Sequence, residues 1–140
     1  MSDPDIVLTL PLPPSANRMK NRNAKTGIHY RTKPYDAWLR AVQWTASLQR
    51  AGDRIPKHYA IRAVVPASRM DLGNYEKPLQ DGLKEAGVIR DDRYCRRIVM
   101  ERDDTRERST MRVELWSLGE PVKQKRKGLR VASPQPMPAR

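Results

Sequence analysis

The centre of the chain most constrains its fold. A β-rich run, Tyr59 to Val65, precedes an amphipathic segment, Asn74 to Ala86, and then a second β-rich run, Tyr94 to Glu101. Alternation of Ile61, Ala63 and Val65 at period two marks the first run as a strand that Pro66 ends, because proline carries no N–H for a ladder. On a 100°-per-residue wheel, Tyr75, Leu79, Leu83 and Ala86 share one side and Asn74, Lys77, Asp81 and Lys84 the other. Asn74 is the expected N-cap, Pro78 is tolerated if it falls in the first turn, and Gly87 ends the helix. A strand–helix–strand return of this kind brings Asp91 and Asp92 back towards Asp71.

The flanks fit the same plan. Ile6 to Leu10 reads as a first strand stopped by Pro11, Pro13 and Pro14, and Ser15 to Lys25 as a polar, basic loop suited to backbone phosphates. Pro34 to Ala51 is helical, with Tyr35, Trp38, Leu39, Val42, Ala46 and Leu48 to Gln49 recurring close to three and four apart and Gly52 as the stop. At that spacing Trp38 and Trp44 are expected in the core rather than stacked on bases. Met111 to Trp116 closes the fold, paired with Tyr94 to Glu101 through a turn at 102–109. We expect an α/β (α+β) domain over 1–118, a small mixed sheet with two main helices, followed by a tail at 119–140. That tail holds six Lys or Arg against one Glu and too few apolar residues to build a core.

Charge narrows the function. Among 140 residues, 28 Lys and Arg face 16 Asp and Glu, a formal +12. Such self-repulsion is relieved by a polyanion, and nucleic acid is the expected partner; otherwise the charge serves solubility. The single cysteine, Cys95, excludes an intrachain disulfide and, with only two histidines, argues against structural zinc. No apolar run nears the roughly 20 residues of a membrane helix, and the acidic start is unlike a signal peptide, so a cytoplasmic setting is expected.

Against this basic background, Asp71, Glu76, Asp81, Glu85, Asp91 and Asp92 fall between Met70 and Arg93. A hard divalent cation takes one or two carboxylates together with water and phosphate oxygens. Without such a cation, clustered carboxylates would only repel DNA. Acidic pairs also occur in plain turns, so spacing leaves both readings open.

The run Asp71-Leu-Gly-Asn-Tyr-Glu-Lys77-Pro-Leu-Gln-Asp81-Gly-Leu, followed by Gly87-Val-Ile-Arg-Asp91-Asp92, resembles the RusA family of Holliday-junction resolvases. Pro13 to Arg18 matches that family's Pro-Pro-Ser-x-Asn-Arg element. The resemblance spans roughly residues 6 to 117. It implies a homodimer that cuts four-way DNA junctions by symmetric paired nicks, with magnesium (or manganese) held by aspartates. By position it makes Asp71 and Asp92 catalytic metal ligands, with Asp91 beside them, and Lys77 a catalytic cation at the scissile phosphate. Asn17, Arg18, Lys20, Arg69 and Asn74 are the expected DNA contacts. Asp81, one turn after Lys77, reads as an ordinary ion pair or as an orienting group. The family's second aspartate is replaced by Gly73, so either Glu76 supplies the missing carboxylate or the chain is an inactive junction binder. Such proteins are commonly carried by phages and prophages, in a bacterial or phage-infected host.

Overall fold

A computed structural model describes residues 2–14, 20–22, 25–27 and 29–119. The expected contacts Asn17 and Arg18, and residues 120–140 of the basic tail, lie outside the described residues, and Lys20 is described by its backbone alone.

The chain runs β1 (Ile6–Pro11), β2 (Lys20–Arg22), β3 (His29–Arg31), α1 (Lys33–Arg50), β4 (Tyr59–Val65), α2 (Gly73–Glu85), a 3₁₀ turn (Asp92–Tyr94), β5 (Cys95–Arg102) and β6 (Thr110–Ser117). Four strands form one sheet in the order β1-β6-β4-β5, with β4 and β5 parallel and the other neighbours antiparallel. This is the expected α+β fold with a mixed sheet and two helices. Ile6, Leu8 and Leu10, Ile61, Ala63 and Val65, and Met111, Val113 and Leu115 bury one face of the sheet. Onto it pack Tyr35, Trp38, Leu39, Val42 and Ala46 of α1 and Tyr75, Leu79 and Leu83 of α2.

Several local expectations are corrected. β5 and β6 are not neighbours: β4 lies between them, hydrogen-bonded to both, because its nearly unbroken burial requires partners on each edge. Part of the expected loop is extended, with β2 and β3 forming a short antiparallel hairpin. Pro11 does not stop pairing but ends β1 opposite Thr110. Trp44 is 71% exposed and Leu48 66% exposed, against 6% for Trp38. Six residues separate Trp38 from Trp44, about 240° around a helix, so the two cannot share a face.

α2 starts one residue early. Its N-cap is Leu72, without a side-chain cap bond, and Asn74 lies inside the helix, where its N–H donates to the Asp71 carbonyl at 3.0 Å. Pro78 falls in the second turn rather than the first, leaving the Asn74 carbonyl without its usual i+4 donor. The far end follows the Schellman pattern. Gly87 takes φ +73°, its N–H meets the Lys84 carbonyl and the Val88 N–H meets the Leu83 carbonyl, with both Val88 and Leu83 buried.

Polar clamps fix α1 on the sheet edge. The Gln49 amide donates to the Thr9 carbonyl (2.8 Å) and its oxygen accepts the Thr9 N–H (2.6 Å), as a neighbouring strand would. Trp38 Nε1 donates to the Pro11 carbonyl at 3.0 Å. At the centre of the sheet, the Arg62 guanidinium ties β4 to both neighbours through Glu101 (3.1 Å) and Glu114 (2.5 Å). Among the described residues no helix is long and apolar enough to cross a membrane.

The two helices touch at Gly82, where an added Cβ would stand 3.1 Å from both Trp38 and Val42. Replacing Gly82 with Val overpacks this seam and is expected to lower the unfolding free energy by about 1–3 kcal/mol. Urea denaturation measures it; an unchanged midpoint would show that the helices separate freely.

Candidate active site on the β4-α2-β5 crossover

The segment from β4 to α2 is shaped by long-range backbone capture. Arg102, at the end of β5, donates through Nη1 to the carbonyls of Pro66 (3.1 Å) and Ser68 (3.2 Å), and through Nη2 to that of Met70 (2.7 Å). The Ser68 hydroxyl accepts from the Met70 N–H and meets the Tyr75 hydroxyl, each at 2.9 Å. This mould presents Arg69 and Asp71, both exposed, just before the first turn of α2. The Asp71 carboxylate forms no hydrogen bond or ion pair with another described residue, and Asn74 is exposed beside it.

Further along the polar side of α2, the charges are paired. Lys77 Nζ donates to Asp81 Oδ1 at 2.9 Å and lies 3.8 Å from Asp92 Oδ2. The second oxygen of Asp81 accepts from the Tyr35 hydroxyl at 2.9 Å. A side chain rooted in the core thus fixes Asp81, which fixes Lys77, which faces Asp92. The bond to Asp81 raises the Lys77 pKa, with Asp92 and Asp91 adding to it, so the ammonium stays charged. Burial, then the bond to Asp81, holds the Tyr35 phenol protonated far above its usual range. Asp91 caps the 3₁₀ turn, accepting the Arg93 N–H at 3.1 Å, and lies 3.5 Å from Lys84.

Between α2 and β5 opens a pocket of about 410 Å³. It is lined by the carboxylates Glu76 and Asp92, the arginines Arg93, Arg96 and Arg97, and Gln80, Cys95 and Ile98. Beneath it the Tyr59 hydroxyl donates to Gln80. Burial raises the pKa of both the Tyr59 phenol and the Cys95 thiol, so these groups stay neutral and Cys95 is a poor thiolate. The charged lining is therefore two carboxylates and three guanidiniums. Such a set suits a hard cation and a phosphate rather than thiolate chemistry.

The crossover thus brings Asp92 to Lys77 and to a pocket shared with Glu76, the residue expected to replace the carboxylate missing at Gly73. Asp71, Arg69 and Asn74 lie exposed around the start of α2, one turn before Glu76 and Lys77. Among the described residues, no three of His, Cys, Asp and Glu group closely enough to hold a metal ion by themselves. Two carboxylates facing one pocket are nonetheless a common protein share for magnesium, with water and phosphate completing the shell. Sequence reasoning missed Tyr35 and Arg102, whose partners lie 46 and 32–36 positions away and leave no local signal.

Two outcomes follow. The Arg93 N–H first, and the Asp92 and Lys84 side chains after it, lower the Asp91 pKa from 3.8 to about 2. A depressed carboxyl favours the native state above pH 3.8 and loses that contribution as pH falls towards 2. Carboxyl NMR should show this midpoint in the native protein, and keep most of the shift in Lys84→Gln; a midpoint near 3.8 would contradict it. Arg102→Lys removes the fork geometry, so amide exchange over residues 67–71 should accelerate about tenfold for each ~1.4 kcal/mol lost. Unchanged exchange there would show that the loop holds its own shape.

The endodeoxyribonuclease RusA family model matches residues 11–115, about three quarters of the chain. No curated protein matches it.

Proposed function

The chain belongs to the RusA family of endodeoxyribonucleases, which act on Holliday junctions, and from that premise we propose that it resolves four-way DNA junctions by metal-dependent, symmetric paired nicking as a homodimer. The nuclease domain would span 1–118, with the basic tail at 119–140 outside it. One observation carries the reading: inside the matched region, Asp92 faces Lys77 and shares a pocket with Glu76 on a protein of net charge +12. Two-fold symmetry suits the task, since one site per subunit yields two nicks on a substrate of matching symmetry.

Asp92 and Glu76 would hold magnesium or manganese, with Asp71 and Asp91 as the further carboxylates of the site. When bound, that ion supplies charge stabilisation on the phosphodiester and makes water a better nucleophile at neutral pH. Lys77 is the electrostatic partner of the scissile phosphate. Its ammonium, kept protonated and aimed by Asp81, meets the negative charge that grows on the phosphoryl oxygens during hydrolysis. Tyr35 braces Asp81, so Lys77 does not reorganise as charge develops. Arg69 and Asn74, exposed at the start of α2, together with Asn17, Arg18 and Lys20, contact the DNA backbone.

A second reading, a junction binder without catalysis, is favoured by Gly73 and by the lack of a three-ligand group among the described residues. Cleavage of a synthetic four-way junction with and without magnesium separates the two. We expect the wild type to cut only with the metal and Asp92→Asn to lose more than about 100-fold while still binding. Removing a negative charge near phosphate should leave that binding equal or tighter. Glu76→Ala should fall likewise; full activity there would remove Glu76 from the site. Nothing lies within 4 Å of a Cβ built on Gly73, so Gly73→Asp fits, and an acid in the first turn should add about 0.3–1 kcal/mol of stability. Cutting that appears only in Gly73→Asp would establish the binder instead.

A further inference from the structure

The turn that carries Asp92 also carries Tyr94, around which positive charge converges. Arg93 Cζ lies 4.9 Å from the ring centroid, Lys57 Nζ 5.7 Å and Arg90 Cζ 5.8 Å. The His58 ring meets Tyr94 edge to face at 5.5 Å, and Arg96 Nη2 stands 2.7 Å from His58 Nε2. Arg93 Nη2 also donates to the Tyr94 hydroxyl at 2.9 Å. Arg90 and Arg93 are exposed.

Each cation gains from the ring face, but cations held within 6 Å of one centroid repel one another. The nearest acid on this turn, Asp91, is already engaged by the Arg93 N–H and by Lys84. With cations over its ring, Tyr94 is no stacking platform for a base; it orders guanidiniums. Ordered guanidiniums match the oxygens of a phosphodiester and carry no preference for sequence.

We propose that Arg90 and Arg93, arrayed on Tyr94, form a seat for a DNA-backbone phosphate next to the scissile one, registering the strand at Asp92. The inference rests on the reading of the chain as a DNA-cutting enzyme, but its test reads binding rather than cutting. The full chain, without divalent metal, is titrated against a labelled four-way junction over a series of salt concentrations. The wild type is compared with the double variant Arg90→Gln/Arg93→Gln and with a charge-matched control, Arg40→Gln/Arg108→Gln.

The seat variant should bind about tenfold more weakly, and its slope of log affinity against log salt should fall by about 1, the share of one phosphate contact. Its melting temperature should equal that of the wild type, since both side chains are exposed. An unchanged slope, or an equal loss in the control, would overturn the seat. Junction cutting by the wild type with magnesium is scored separately. A wild type that does not cut, paired with a seat variant of lower slope, would refute the nuclease reading and uphold the phosphate seat.

Discussion

The parallel pairing of β4 with β5 is the constraint on which the rest depends. Parallel neighbours cannot be joined by a tight hairpin; the chain must travel back along the sheet before re-entering it. Here α2 makes that journey. One side of the helix must satisfy the core, which Tyr75, Leu79 and Leu83 do, while the side turned from the core is left to carry charge. The turn that ends the return is also where the chain rejoins the sheet, so Asp92 arrives beside α2 as a consequence of topology. Arg62 reinforces the pairing from the middle of β4, bonding carboxylates on both adjacent strands, and thereby couples the frame of the site to the whole sheet.

Acidic side chains in so basic a protein are stabilised one by one, by partners from different elements. Asp81 is held from α1 by Tyr35, Asp91 by the backbone of its own turn, and Asp92 by Lys77. Glu76 and Asp92 remain turned to the pocket, flanked by guanidiniums. The result is an alternation of sign over a few ångströms, the field that a metal ion and a phosphodiester need together.

Periodicity made much of this legible. Ile6 to Leu10, Pro34 to Ala51 and Tyr59 to Val65 announced their elements within a residue or so, because burial on one face writes itself into local spacing. The motif from Asp71 to Asp92 pointed to the family that the match confirms. Strand order was less visible: β5 and β6 look like a hairpin in sequence, yet β4, buried along nearly its whole length, claims both as neighbours. Asn74 has the chemistry of a cap but sits two positions too late to act as one, since Leu72 already occupies the N-cap. Trp44 looked like core because it is aromatic, although its angular offset from Trp38 already pointed outward. The contacts of Tyr35 and Arg102 span dozens of residues, and nothing in a local window encodes them.

The triple carbonyl grip of Arg102 also sets an order of events. The loop bearing Arg69 and Asp71 precedes its organiser by more than thirty residues, so a growing polypeptide lacks the means to shape that loop until β5 has been made and docked. The candidate site thus gains the shape of its first loop only once the end of β5 is in place. A nascent or partly folded chain therefore presents Arg69 and Asp71 on a loop that has not yet been given its shape.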